Sequence, residues 1–515
     1  MSEQKQVLNN SKIMAGMTFL SRIFGMLRDL LVARLVGATR LGDVWSISFM
    51  IPNLFRRLIA EGAMTSAFVP ILSDLSEHKQ QEAAREFMRS VFSLILLAST
   101  LIASVMILTL PMTMPFLFKV LNPVGVTPSG TRFEDMVLPT RIMFPYLIFI
   151  SLASICQGVL NVHNRFALSA ATPILLNLSM ISFGYLLRDW HGDPIWGLCV
   201  GVLLGGFLQF STQWIHLYRL GFRIWPVFHF WGSRTAEAAR LWFPTVFSAG
   251  IMQINIVVAT VAAANLVPGS TLAITLSNRL IEFVLGVFTA ALTTSLLPVL
   301  SRQRARNDMD AANKTLWSSL ALITLVALPA SVGLILAGPS LINLLFVGGR
   351  FDESGLTLTY LALIFHAMML LPLSWYRIIG QSYYAFKRVK LAVYIAAFGA
   401  LVNISGCFFF PHFFPPSLAH CGVVLANLVS ACVLVLTSRI VIARTFNLVW
   451  PPHLNSELAR MLLATIGILP FWLPISTRIL PLPELVIRIL LSVLAYVILV
   501  WALRVPSFRQ LVSNK

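Results

Sequence analysis

SVFSLILLASTLIASVMILTLPM, residues 90–112, runs without one charged side chain and is long enough to cross the ~30 Å hydrocarbon core of a bilayer as a single helix. The rest of the chain has the same character: of 515 residues 57% are hydrophobic and 11% charged, and the mean hydropathy is +0.82. A soluble domain of this size would carry far more polar surface, so the chain reads as an all-α polytopic membrane protein. Fourteen apolar segments are predicted as transmembrane helices, at 13–36, 44–70, 90–112, 137–160, 167–187, 194–216, 241–265, 273–299, 315–337, 357–383, 390–410, 418–441, 458–476 and 483–503. The polar, mixed-charge start MSEQKQVLNNSK lacks the basic and apolar pattern of a secretory signal, so the first helix is expected to be retained.

The formal charge of +18 would suggest nucleic acid in a soluble protein, but here it follows the loops. Basic residues recur in every second loop: Lys79 and Arg85, Arg165, then Arg219, Arg223, Arg234 and Arg240, then Arg302, Arg304 and Arg306. The phase continues through Lys387, Arg388 and Lys390, Arg444, Arg504, Arg509 and Lys515. The alternate loops are poor in Lys and Arg, which puts both termini in the cytoplasm and excludes a nucleic-acid partner. Cys156, Cys199, Cys407, Cys421 and Cys432 stand singly in apolar helices and read as small core residues.

An internal repeat organises the spans. RLIAEGAMTSAFVPILS (57–73) and RLIEFVLGVFTAALTTSLLPVLS (279–301) share an Arg-Leu-Ile start and a Pro-x-Leu-Ser end. Two six-helix lobes related by a pseudo-twofold axis along the membrane normal are expected, with substrate between them and two C-terminal helices outside the repeat. The corresponding divisions are 1–216 for the first lobe, 217–239 for a cytoplasmic linker, 240–445 for the second lobe and 446–515 for the last two helices, which are expected to line a groove for a lipid tail.

Charges inside the spans carry the functional signal, because each costs a few kcal/mol at membrane depth. Arg22 and Asp29 lie two helical turns apart on nearly one face of SRIFGMLRDLLVAR, with Gly25 leaving room beside them, and Arg28 points about 120° away; the bland alternative is that they snorkel to the interface. Arg279 and Glu282 are spaced to pair along a helix, and the repeat makes them counterparts of Arg57 and Glu61. Arg56 and Arg57 are adjacent, so one of the two is expected to face the cavity; Asp43 is a further acid close by. Several guanidinium groups in a low-dielectric cleft repel one another unless acids or an anion offset them, and their planar forks suit phosphate and pyrophosphate. A phosphorylated lipid is the expected ligand.

No phosphate-binding G-x-x-x-x-G-K-[ST] loop or H-E-x-x-H motif occurs, and no cofactor, metal or enzymatic activity is expected. Predicted helices 7, 11 and 12 contain no Asp or Glu, so a cation there would depend on amides such as Asn255, Asn403 and Asn427.

The motifs SRIFGMLRDLLVARLVGA (21–38), IPNLFRRLIAEGAMTSAFVPILSD (51–74), FPYLIFISLAS (144–154), LNVHNRFALSAATPILLNLSMI (160–181), NRLIEF (278–283) and LLFVGGRF (344–351) together resemble the MurJ (MviN) family of lipid II flippases, end to end and most strongly in the first half. This family falls in the multidrug/oligosaccharidyl-lipid/polysaccharide exporter superfamily. The resemblance implies a fourteen-helix fold around a cationic cavity in a bacterial inner membrane. Its substrate would be lipid II, an undecaprenyl-pyrophosphate disaccharide-pentapeptide, flipped outward by alternating access, with cell-wall synthases as possible partners. It implies roles for Arg22, Arg28, Arg56 and Arg279 as cavity arginines and for Asp29, Asp43, Glu61 and Glu282 as their acidic companions. ITLSN before Arg279 and Val284 depart from the family pattern of aromatic residues with Asp, and of Pro. Export of another undecaprenyl-pyrophosphate oligosaccharide, and a non-transporting scaffold that binds lipid II, are the competing readings. A multidrug antiporter fits less well, since cationic drugs need an acidic or aromatic cavity.

Overall fold

The computed structural model describes residues 3–59, 63–78, 80–122, 133–163, 165–228, 230–473 and 479–512. The helices are α1 (Glu3–Val36), α2 (Arg40–Ile59), α3 (Ala63–Glu77), α4 (Gln81–Val120), α5 (Glu134–Met143), α6 (Tyr146–Val162), α7 (Phe166–Leu186), α8 (Ile195–Arg219) and α9 (Ser233–Ala264). They continue as α10 (Ser270–Val284), α11 (Ala290–Ala305), α12 (Met309–Phe346), α13 (Glu353–Ala385), α14 (Val389–Phe409), α15 (Ala419–Phe446), α16 (Pro452–Ile466), α17 (Leu482–Ala502) and α18 (Pro506–Val512). No strand is present among the described residues; Gly348 and Phe351 form an isolated bridge. Nine helical stretches among them are long and apolar enough to cross a membrane. An all-helical membrane fold follows, since a spanning segment must satisfy its own backbone hydrogen bonds where no water can.

The predicted segment 44–70 corresponds to α2 and α3, and 273–299 to α10 and α11 joined by a π-helical turn, Leu285–Thr289. The segment 137–160 divides into α5 and α6 around Phe144 and Pro145, where the proline ring removes a donor from the helical ladder. Beyond the last predicted span lies α18, whose entry is fixed by buried Glu457 of α16: the carboxylate accepts hydrogen bonds from the Ser507 backbone N–H at 2.8 Å and from the Ser507 hydroxyl.

By contacts the chain forms two units. The first comprises α1 to α8, α9 as far as Val261, and Gly348–Phe351; the second comprises the end of α9 from Ala262 and α10 to α18. In the first unit, α7 and α8 approach closely because Gly197, Gly201 and Gly205 recur every fourth residue along α8. A Cβ at these positions would lie 2.6 Å from the Phe183 carbonyl oxygen, 2.8 Å from Met180 Cα and 2.8 Å from Leu176 Cδ1 respectively. Apolar burial drives little association within lipid, so the close approach of backbones opened by such a stripe is what holds the pair.

In the second unit, side-chain to backbone hydrogen bonds bridge the helices. Tyr383 donates to the Ser438 carbonyl at 3.0 Å, Ser430 to the Gly399 carbonyl at 2.7 Å, and Tyr496 of α17 to the Leu325 carbonyl of α12 at 2.9 Å. Of the five cysteines, Cys156, Cys199, Cys407 and Cys421 are buried as expected, whereas Cys432 is exposed. The core expectation for Cys432 is corrected: a small apolar side chain suits a lipid-facing helix surface as well as a protein interior.

Candidate anion-binding site

In the first unit, the charges of α1 are organised around Arg28. Its Nε and Nη2 donate to Asp29 Oδ1 at 3.0 and 2.7 Å, and its Nη1 donates to Asn177 Oδ1 of α7 at 3.0 Å. Asn177 in turn donates to the Ser21 carbonyl at 3.4 Å, so a single amide links two turns of α1. The amide packs against Gly25, where a Cβ would sit 3.7 Å from Asn177 Nδ2, an ordinary van der Waals contact. The guanidinium also lies 6.0 Å from the centre of the Phe49 ring. With the Arg28 and Asp29 side chains only 13% and 18% exposed, this is an oriented ion pair and not a snorkelling one.

Arg22, by contrast, is exposed, and no hydrogen bond or ion pair holds it among the described residues. Arg56 donates to Asn53 Oδ1 at 2.6 Å, and both Arg56 and Arg57 are half-buried. Asp43 is completely buried in the first turn of α2, so its carboxylate does not line an open cavity in this conformation. Glu61 lies outside the described residues.

The second unit presents its charges differently. Glu282 accepts from Arg279 Nη1 at 2.7 Å through one oxygen and from Asn278 Nδ2 at 2.9 Å through the other. The helix that carries them is clasped to α13 twice: the Ser277 hydroxyl bonds His366 Nδ1 at 2.8 Å, and Thr289 and Ser374 hydroxyls lie 3.3 Å apart.

The intervening π turn accounts for both clasps. Twelve residues of regular α-helix would turn Thr289 about 120° away from Ser277; one residue absorbed by a π bulge reduces this to about 20°. Both hydroxyls then face α13, while Arg279 and Glu282, about 200° and 140° around the axis from Ser277, point away from it. A further arginine, Arg377, lies on α13 and is exposed.

A model of the lipid II flippase MurJ family matches residues 32–491. The chain belongs to the MurJ family. It is 32% identical over 400 residues to the probable lipid II flippase MurJ of Buchnera aphidicola subsp. Baizongia pistaciae, covering 77% of this chain and 76% of that one. It is 31% identical over 426 residues to the lipid II flippase MurJ of Burkholderia cenocepacia, covering 81% and 80%. A solved structure of a lipid II flippase MurJ in an inward closed conformation superposes with a TM-score of 0.78 at 25% identity, over 94% of this chain and 97% of that one. An inward-facing multidrug MATE transporter shares the fold, with a TM-score of 0.64 at 14% identity.

Within this MurJ fold, α10 pairs Arg279 with Glu282 as their spacing predicts, whereas on α1 Asp29 pairs with Arg28, which the sequence turned about 120° away, and Arg22, expected on the face of Asp29, is exposed. Sequence reading missed Asn177, His366 and Arg377. Arg377 carried a usable signal, since it lies in the predicted span 357–383 and meets the criterion that selects Arg22 and Arg28. The other two are neutral residues whose partner helices no local pattern specifies.

Proposed function

We propose that this chain is a lipid II flippase of the cytoplasmic membrane, moving the undecaprenyl-pyrophosphate disaccharide-pentapeptide from the inner to the outer leaflet by alternating access. The observation that carries this reading is the presentation of Arg28 on α1 and Arg279 on α10, each with a carboxylate beside it, in a chain of the MurJ family. A pyrophosphate is the ligand such groups select: it accepts forked hydrogen bonds from guanidinium and supplies the negative charge that the neighbouring acids only partly provide. Because bound anion offsets the repulsion between arginines, it favours whichever state draws them together, and that differential interaction can drive a conformational change.

The full reading has fourteen membrane helices in two six-helix lobes related by pseudo-twofold symmetry, divided at 1–216, 217–239, 240–445 and 446–515. Both termini are cytoplasmic, the lipid tail lies along the last two helices, and cell-wall synthases are the expected partners. Arg22, Arg56, Arg57, Asp43 and Glu61 complete the proposed set with Asp29 and Glu282.

The test uses cells depleted of their own flippase and carrying this chain, with a lipid II-cleaving protein added outside. Cleavage of newly made lipid II that requires this chain, Arg28 and Arg279 is the expected result. Lipid II that is made yet stays protected would overturn the reading in favour of another lipid-linked substrate.

A further inference from the structure

The segment that follows α8 bends back against the first unit, and its depth can be read from the helices that hold it. The Val227 backbone N–H donates to Ser93 Oγ of α4 at 2.7 Å, and Trp214 Nε1 of α8 donates to the Ile224 carbonyl at 3.3 Å. Ser93 lies one turn, about 6 Å, inside Arg89, the last charge before the uncharged run 90–118 of α4. Trp214 lies five residues, about 7.5 Å, inside Arg219, the first charge after the uncharged run of α8. Two separate spans therefore hold residues 224–227 at the level where apolar helix meets headgroup. From this pinned backbone, Phe228 is 99% exposed, Trp231 65% and Trp225 51%. Arginines flank them in the chain and on α4: Arg89 Nε donates to the Arg223 carbonyl at 3.2 Å, Arg223 lies 5.9 Å from the Tyr218 ring centre, and Arg234 donates to Gln80 Oε1 at 3.1 Å.

We propose that this segment is an interfacial anchor: Phe228 and Trp231 enter the boundary between headgroups and acyl chains, and Arg223 and Arg234 engage the phosphates of anionic phospholipids. Aromatic side chains gather at that depth because an apolar body and, for Trp, a polar edge are both accommodated there. Arginines beside them add attraction to an anionic leaflet within a Debye length of its surface.

Placing the segment at a bilayer surface rests on the membrane reading of the fold. The test does not require transport, so failure of the flippase reading and failure of the anchor are distinguishable. The full chain carrying Phe228→Cys in a Cys432→Ser background is labelled with a nitroxide and reconstituted in phosphatidylethanolamine–phosphatidylglycerol vesicles, the other four cysteines being buried. Collisions with oxygen that exceed those with a water-soluble nickel chelate are expected, and again at Trp231→Cys. Dominance of the chelate at both sites, or protection from both reagents by a protein contact, would overturn the proposal. Preference for spin-labelled phosphatidylglycerol over phosphatidylcholine should fall about fivefold for each of Arg223→Gln and Arg234→Gln. An unchanged preference would overturn the role of the arginines.

Discussion

Arg28 in the first unit and Arg279 in the second each stand beside a carboxylate but are held by different means. The Arg28 side chain is 13% exposed and engages its own helix through Asp29 and a neighbouring helix through Asn177. Arg279 is 36% exposed and engages Glu282 three residues along, while the helix beneath it is clasped through Ser277 and Thr289. In the first unit the side chain itself is oriented across a helix pair; in the second the backbone is oriented and the side chain projects from it. A ligand arriving at the first would meet a guanidinium oriented across two helices, and at the second one oriented along its own helix.

Removing either arginine gives the largest effect. Arg28→Ala and Arg279→Ala should each abolish growth when present as the sole flippase, with normal expression, because loss of a desolvated charge contact costs about 2–5 kcal/mol, more than about thirtyfold in binding. Growth of either variant would break the pairing of the two sites. Next is Gly201→Leu, where the added side chain meets the Met180 backbone; overpacking of this kind costs about 1–3 kcal/mol. A melting temperature in detergent that falls along with flipping would tie Arg28 to the close packing of α7, which carries Asn177.

Lysine replacements separate the two modes of support. Arg28→Lys should lose about tenfold in flipping, since a point charge cannot bond Asp29 and Asn177 as a fork does, whereas Arg279→Lys should lose less. Equal losses would show that both guanidinium groups act as forks. The smallest effect is expected for Asn177→Ala, about fivefold in flipping from the loss of roughly 1 kcal/mol of hydrogen bonding. An unchanged rate would mean that Asp29 alone orients Arg28.

The membrane class and the Arg279–Glu282 pair were legible in the sequence for physical reasons: hydropathy is a local sum, and side chains three apart share a helix face. The Arg28–Asp29 pair was not, because adjacent residues point about 100° apart and spacing alone favours Arg22 as the companion of Asp29. The spacing of Gly197, Gly201 and Gly205 carried a signal that the sequence reading left unused. Asn177 and His366 were not legible, because their partners lie on other helices and no local pattern says which faces meet. Asp43 shows a second limit: an acid at the start of α2 reads as a cavity residue, and only the packing reveals that it is enclosed. The π turn leaves no trace in composition, since Leu285–Thr289 would extend an ordinary helix equally well.

That turn makes the span's tolerance of length changes directional. A deletion of one residue within Leu285–Thr289 would remove the residue that the bulge absorbs and leave a regular helix in which the Ser277 and Thr289 hydroxyls still stand about 20° apart, so both clasps to α13 could persist. An insertion of one residue would instead turn everything on one side by about 100° relative to the other, and the two clasps could then no longer hold at once. A library that varies the length of this stretch by one residue at constant composition should therefore accept deletions far more readily than insertions.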